Sequence, residues 1–274
     1  MNDKDSMNTI HYNDSVQLQP CVATIGFFDG VHRGHQFLIH HLVETARKDG
    51  LQSTVITFDA HPRKVLQADY QPEMLSTLDS KLLLLSKTEV DNTVVLHFDK
   101  AMAAMSAREF MQQVLHDHLN VRKLFIGYDH RFGHKNSGSV QLLQEKCAEL
   151  GLGCDIIPQV TLDGVTVSST YIRTLVESGD MERAADFLGH RHCLSQTVQH
   201  GQRIGRTIGI PTVNLAVPEH VLAPAHGVYV TCVYLPDGRM YHGVTNVGTR
   251  PTVTDGDAVS VETFLLGFDG DLYG

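Results

Sequence analysis

No apolar run in this chain approaches the ~18 residues that a membrane-spanning helix requires, so nothing in it reads as a transmembrane segment. The stretch Met1 to Asp14 is polar and acidic. It has neither a basic n-region nor an apolar h-region, so it does not read as a secretory signal. Positive charge is scarce: 22 Lys and Arg stand against 31 Asp and Glu, a net charge of −9. That balance argues against nucleic acid or an anionic membrane as a partner. There is no Cys-x-x-Cys, and the five cysteines are an odd number, which points to reduced thiols in a cytoplasm rather than a disulfide framework. Two phosphate signatures are also missing. No Gly-x-x-x-x-Gly-Lys-[Ser/Thr] occurs, which excludes a Walker A loop. No Gly-x-Gly-x-x-Gly follows a strand, which excludes the dinucleotide fingerprint.

What is present is enough for real cores. The 274 residues, 42% of them hydrophobic, allow one large or two ordinary domains. Residues 1 to 16 read as a lead-in with little core content. From Cys21 onward strand-like and helix-like stretches alternate. Strands are expected at Cys21–Ile25, Ser53–Thr57, Thr93–His97, Lys123–Ile126 and Cys154–Ile157. Helices are expected at Gln36–Lys48, Ser80–Thr88, Ala107–Leu119 and Ser139–Leu150, with a short one from Asp180 to Leu188. This alternation predicts a doubly wound, Rossmann-like α/β domain with a parallel sheet, whose ligands bind beyond the carboxyl ends of the strands. Past Gly189 the character changes. Cys193–Gln199, Gly227–Leu235, Met240–Val247 and Val259–Gly267 read as strands, and Pro236-Asp237-Gly238 as a hairpin turn. A domain boundary is therefore expected near 186–190, dividing the chain into 1–187 and 188–274, the second part a small antiparallel β-barrel. His190-Arg191-His192-Cys193 lies at that boundary, but three close ligands with no fourth at zinc spacing do not make a zinc site.

The chain is organised around Ile25-Gly26-Phe27-Phe28-Asp29-Gly30-Val31-His32-Arg33-Gly34-His35. A strand leads in and an amphipathic helix leads out, with Leu38, Ile39, Leu42, Val43 and Ala46 on one face. Gly26, Gly30 and Gly34 let the backbone turn sharply and approach a ligand. His32 and His35 arrive at the first helical turn, where free N–H groups already favour an anion. With 17 histidines in the chain a lone His-x-x-His means little; its setting makes this one a polyphosphate grip. An acidic protein that handles phosphates is also expected to recruit a divalent cation.

Other loops carry two readings each. Thr57-Phe58-Asp59-Ala60-His61-Pro62-Arg63 is either a Pro-terminated turn or a source of positive charge, from His61 and Arg63, near a phosphate. Gly127-Tyr128-Asp129-His130-Arg131-Phe132-Gly133 is either a plain surface loop or a set that stacks and hydrogen-bonds a flat aromatic ligand. Ser168-Ser169-Thr170-Tyr171-Ile172-Arg173 is N-cap chemistry or a phosphate clamp. In the second part, His200 to Asn214 places Gly201, Gly205 and Gly209 at four-residue spacing with Arg203 and Arg206, a phosphate-wrapping pattern. Thr212 and Asn214 point to one face if extended, and their neutral oxygens suit Mg²⁺ shared with substrate phosphates. Glu262 is a lone strand carboxylate, either solvent-facing or a half-buried base.

The first stretch resembles the Gly-x-Phe-Asp-Gly-x-His-x-Gly-His signature of the HxGH nucleotidylyltransferases. The later segments narrow the likeness. Thr57 to Pro62 resembles a Thr-Phe-x-x-His-Pro segment, and Val167 to Arg173 an Ile-Ser-Ser-Thr-x-Ile-Arg motif. Gly127 to Gly133 resembles Gly-x-[Asp/Asn]-Phe-x-Phe-Gly, with His130 where Phe is usual. The run Gly201 to Asn214, the strand Gly227–Tyr229, the turn Asn246 to Thr252 and the strand Glu262-Thr263 resemble a riboflavin kinase module. Together, over nearly the whole chain from Cys21, these are similar to the bacterial bifunctional riboflavin kinase/FAD synthetase family.

The resemblance implies FMN formation from riboflavin in the second domain and FAD formation from FMN, with pyrophosphate released, in the first. ATP is the co-substrate and Mg²⁺ the metal. Implied catalytic residues are His32, His35, Ser169, Thr170, Arg173 and Glu262. Implied nucleotide contacts are Gly26, Phe27, Asp29, Gly30 and Gly34, with Gly201, Gly205, Arg206 and Gly209 for the kinase. Implied flavin contacts are His61, Asp129, Arg131, Phe132, Asn246 and Thr252, and implied metal ligands are Thr212 and Asn214. Small molecules are the expected partners, and a monomer or weak homo-oligomer the expected state. Family members usually continue past Asp271-Leu272-Tyr273-Gly274, so the kinase part is expected to lack a C-terminal strand and helix. Two other readings stay open on sequence: a flavin-binding regulator with residual catalysis, and a different HxGH nucleotidylyltransferase.

Overall fold

The computed structural model describes residues 7–61, 65, 73–128, 140–199, 211–249 and 259–274. It divides into two compact units: Met1–Pro72, Leu78–Ser169 and Phe187–Gly189 in one, Glu73–Thr77, Thr170–Asp186 and His190–Gly274 in the other.

The first unit is built on six strands: β1 (Asn8–His11), β2 (Cys21–Ile25), β3 (Gln52–Phe58), β4 (Asn92–Leu96), β5 (Val121–Gly127) and β6 (Gly153–Ile157). They form one sheet in the order β1-β4-β3-β2-β5-β6, and every pairing is parallel. A strand buried on both faces needs apolar side chains at consecutive positions, and β2 is buried throughout. Successive side chains leave it in opposite directions. Cys21, Ala23 and Ile25 pack with Phe110, Met111, Leu115, Leu143 and Cys147. Val22 packs on the other face with Leu38, Ile39, Leu42, Val43 and Ala46 of α1 (Arg33–Asp49). Each Val, Leu, Ile, Phe or Met among them, once buried, contributes about 1.5–3 kcal/mol. Helix α1 ends where Gly50 turns left-handed at φ 66°, with Arg47 and Lys48 complementing the dipole in its last turn.

The chain runs outward from β2 through β3 to β4, then returns to place β5 on the other side of β2. The switch point thus lies between β2 and β5, and the loops after Ile25 and after Gly127 flank it. The second loop, 129–139, lies outside the described residues.

Two elements depart from expectation here. The presumed lead-in contains β1, a largely exposed edge strand held to β4 by a parallel backbone ladder rather than by an apolar pattern. The helix expected at Ala107–Leu119 begins with a capping box between Ser106 and Glu109, then winds as a π-helix over Phe110–His118. That winding brings Phe110, Met111, Val114 and Leu115 inward.

In the second unit, β9 (Thr212–Ala216), β10 (Gly227–Tyr234), β11 (Met240–Thr249) and β12 (Val259–Leu265) form an antiparallel sheet in the order β10-β11-β12-β9; the small hairpin β7 (Thr161–Leu162) and β8 (Val165–Thr166) precedes them in the chain. Pro236 to Gly238 makes the expected turn, with Gly238 at φ 87° and Leu235 N donating to Arg239 O at 2.9 Å. One sheet face is inward: Val247, Val261 and Leu265 are buried, with Thr245 and Thr263 between them. The hydroxyls of Thr231, Thr245 and Thr263 satisfy one another in a chain at 2.8 Å per step. A Cβ at Gly243 would meet Thr263 Cγ2 at 2.7 Å and Thr231 Oγ1 at 3.0 Å, so that chain needs glycine there. The strand expected at Cys193–Gln199 is not formed. Among the described residues only Gln199 pairs, in a bridge to Asn214 of β9.

Candidate active site

Three of the four residues Phe28–Val31 have positive φ: Phe28 at 53°, Gly30 at 71° and Val31 at 40°. A left-handed β-branched residue is an outlier that only a constraining environment maintains. That environment is visible. Gly26 N extends the sheet ladder to Ile56 O at 3.0 Å. Phe28 is buried, with its ring edge-on to His35 at 5.0 Å. Gln36 Nε2 donates to Val31 O at 2.8 Å and to Leu188 O at 2.9 Å. Gly189, at φ 78°, leaves room for that amide, since a Cβ there would lie 2.8 Å from Gln36 Oε1.

The two histidines are one unit. His32 caps α1, and its Nδ1 accepts from His35 N at 3.3 Å. Their rings stack at 3.6 Å with a 14° interplanar angle. The capping bond makes Nδ1 the acceptor, so a neutral His32 carries its proton on Nε2. A Cβ at Gly34 would approach the His32 ring to 3.1–3.2 Å. Burial first, then the neighbouring His32 and Lys81, hold the His35 pKa well below the usual imidazole value. His35 is therefore neutral at pH 7 and acts as a hydrogen-bonding ring rather than the cation that a two-histidine phosphate grip suggests. Its Nδ1 is buried with no hydrogen-bond partner among the described residues.

Around this loop the structure gathers several of the expected residues. Ser169 Oγ donates to Asp29 O at 3.1 Å, and Asp29 is 4% exposed. Phe27 meets the His61 ring edge-on at 4.8 Å. Asp59, next to the end of β3, pairs with His97 at 2.5 Å; that bond and those from backbone N–H groups hold its carboxyl below the ordinary range. Thr170 and Arg173 fall in the second unit, where Arg173, on the helix Ser169–Ser178, donates through Nε to Glu73 O at 2.8 Å. Asp129, Arg131, Phe132, Gly201, Gly205, Arg206, Gly209 and Thr252 lie outside the described residues.

One residue escaped the sequence reading. Lys81 is 2% exposed, and its Nζ donates to the carbonyls of Phe27 at 3.1 Å and Phe58 at 2.9 Å. A signal existed: Lys81 shares the inward face of the helix Leu78–Leu85 with Leu85, four residues on.

In the second unit the register does the assembly. Asn246 pairs with Glu262 and Glu262 with Asn214, so three residues distant in sequence form one row across β11, β12 and β9. Thr212, two residues from Asn214, shares that face, opposite the buried threonines. Asn246 is exposed, Glu262 half-buried and Asn214 buried. The donors are all oxygens, too few for a cage but suited to Mg²⁺ that also takes phosphate oxygens. No cluster of three or more His, Cys, Asp or Glu that would hold a metal occurs among the described residues.

A parallel sheet with a histidine-bearing glycine loop at its switch point, joined to an antiparallel unit carrying an oxygen-donor row, defines a phosphate-transferring enzyme of two parts. Residues 14–171 match the FAD synthetase family and residues 188–274 the riboflavin kinase family. A bifunctional riboflavin kinase/FMN adenylyltransferase of Escherichia coli strain K12 is 38% identical over 97% of this chain and 84% of its own length. The protein of the same description from Haemophilus influenzae is 36% identical over 96% and 85%, and that from Bacillus subtilis 32% over 98% and 86%. A crystal structure described as a macrolide-efflux protein from Streptococcus pneumoniae superposes with a TM-score of 0.87 at 30% identity, over 98% of this chain and 88% of that one. The chain belongs to the bifunctional riboflavin kinase/FMN adenylyltransferase family, and it is a flavin-cofactor transferase. The riboflavin kinase match removes the alternative of a different HxGH enzyme, whose chemistry has no use for that second part. No described helix is long and apolar enough to cross a membrane.

Proposed function

We propose that the family's two reactions are divided between residues 1–187, which adenylylate FMN to FAD, and 188–274, which phosphorylate riboflavin to FMN. The observation that carries the first assignment is the stacked His32–His35 pair on a left-handed turn at the sheet's switch point. In that reaction a phosphate oxygen of FMN attacks the α-phosphorus of ATP. A new P–O bond forms as the α–β bridge breaks, and pyrophosphate leaves. The nucleophile is already anionic, so no enzyme-bound intermediate is needed. His32 and His35 donate to the developing charge on the transferring and leaving phosphates, and Ser169, Thr170 and Arg173 supply further donors. Gly26, Phe27, Asp29, Gly30 and Gly34 shape the turn that receives ATP. His61, with Asp129, Arg131 and Phe132, holds the flavin ring.

In the kinase half the riboflavin 5′-hydroxyl attacks the γ-phosphorus of ATP, and Glu262 accepts the hydroxyl proton. Phosphoryl transfer depends mainly on alignment and charge neutralisation, so a weak base suffices. Asn214 and Thr212 would hold Mg²⁺, which supplies neutralisation of the phosphate charge when bound. Gly201, Gly205, Arg206 and Gly209 wrap the nucleotide phosphates, and Asn246 and Thr252 contact the flavin. ATP, riboflavin and FMN are the partners of a cytoplasmic enzyme, a reading supported by five free thiols.

A product assay tests the division. The full chain is given ATP and Mg²⁺ with riboflavin or with FMN, and products are separated by HPLC. Both FMN and FAD are expected. Bound flavin without turnover of either substrate would overturn the reading.

A further inference from the structure

Lys81 is the least expected side chain in the first unit. It sits in Leu78-Asp79-Ser80-Lys81-Leu82-Leu83-Leu84-Leu85, on the helix face that also buries Leu85. Withdrawing an ammonium from water costs several kcal/mol, and an apolar side chain of similar volume is often neutral or stabilising at such a place. The ammonium is nevertheless buried, and its two hydrogen bonds go to neutral carbonyls. Those carbonyls are informative. Phe58 ends β3, whereas Phe27 opens the turn that leads to His32. Phe27 O also accepts from Thr57 Oγ1 at 3.1 Å. The same ammonium lies 4.2 Å from the Phe27 ring centroid, a cation–π contact. The Phe27 ring in turn meets His61. One cation thus fixes the backbone and the ring of Phe27 together.

We propose that Lys81 is a positioning residue for adenylyl transfer: it ties the first turn of the histidine loop to the end of β3, so that the His32–His35 pair meets the nucleotide phosphates without rearranging. This rests on the assignment of FAD synthesis to that loop. The charged and titratable groups facing Nζ are Asp29 on the loop, Asp59 after β3 and His35 on α1. The two carboxylates favour the ammonium but do not offset its burial, which pushes Lys81 down to about 8. The same charge helps keep His35 neutral.

In the free enzyme Lys81 loses its proton, and its hold on both carbonyls weakens, as pH rises through about 8. Bound phosphates favour the charged form and move that loss upward. The alkaline limb of kcat/KM, which reports the free enzyme, is therefore expected near pH 8, with that of kcat displaced to higher pH.

The test uses the full chain with FMN and ATP across pH 6–10, comparing wild type, Lys81→Met, Lys81→Arg and the double variant His32→Ala/His35→Ala. Riboflavin phosphorylation is assayed on each sample. Lys81→Met is expected to lower FAD synthesis roughly 100-fold, the scale of one lost preorganising contact, with kinase turnover unchanged. Lys81→Arg is expected to recover about tenfold of that loss and to carry no alkaline limb near pH 8, because guanidinium stays charged. FAD synthesis within about threefold of wild type in Lys81→Met overturns the proposal. So does a wild-type kcat/KM with no alkaline limb, a result that stands even if the variants misfold. Retained FAD synthesis in the double histidine variant overturns the site assignment instead, which separates the two failures.

Discussion

The two proposed phosphate sites are of opposite construction. In the first, eleven consecutive residues, Ile25 to His35, carry the turn, both histidines and the helix cap. In the second, Asn214, Glu262 and Asn246 meet only because β9, β12 and β11 pair in one register. The first is made by local backbone geometry and held in buried surroundings. The second lies on a sheet face whose other members include Val228 and Val230, 70% and 88% exposed. A contiguous site is sensitive to side-chain deletion and small steric changes. A register-built site is sensitive to pairing, because a one-residue slip would turn Glu262 to the opposite face.

The largest expected effect separates the two sites outright. His32→Ala/His35→Ala should lower FAD formation from FMN by at least about 10³-fold, given 10²–10³ for a single preorganised donor, while FMN formation from riboflavin stays intact. Parallel HPLC time courses measure both. The complementary variant, Glu262→Ala, should lower riboflavin phosphorylation by about 10²–10⁴-fold, the usual range for a lost general base, and leave FAD synthesis alone. Kinase turnover retained in that variant would remove Glu262 from the mechanism while keeping the row as scaffold.

A steric probe is gentler. Gly34→Ala places a methyl 3.1–3.2 Å from the His32 ring, so the stacked pair must give by a few tenths of an ångström. About a tenfold loss of FAD synthesis is expected, since misplacements up to 1 Å cost as much as 10²-fold. Measured Tm should move little. An unchanged rate would mean that the ring stack tolerates displacement and that its geometry is not what the loop is built to preserve.

The last effect is on stability rather than rate, and it lies in the second unit. Burial, with His190 nearby, pushes His192 down to about 4, and its Nε2 lacks a partner. The unfolded chain binds a proton at His192 from about pH 6.5 downward, while the folded one resists until about 4. Stability is therefore full above pH 6.5 and falls as pH drops toward 4, by up to about 3 kcal/mol. Urea titrations at pH 7 and 4.5 should show a smaller drop for His192→Gln than for wild type. Equal drops would assign the acid sensitivity to other groups.

Much of this was legible in advance. The alternation of strand and helix patterns is carried by side chains that face a core, so β2 to β6 and α1 follow from composition and period. The histidine loop is legible because its residues are contiguous and glycine spacing announces the turn. β1 was not, since Asn8 to His11 offers little apolar pattern and is held by backbone bonds to β4. Cys193–Gln199 forms no strand beyond the Gln199 bridge, because alternation describes what a strand looks like and does not by itself make the backbone pair. Lys81 was hidden by the ordinary expectation that a lysine in a helix points to solvent.

By itself the sequence determined the two-part architecture, the class of chemistry and the histidine loop, because each is written in local period or contiguous motif. Only the tertiary structure decided that His35 is neutral, that Lys81 is buried beneath Phe27, and that Glu262 stands between Asn214 and Asn246. Those three depend on desolvation, on distance and on register. Each is a relation between residues far apart in the chain, so none can be read from either partner alone.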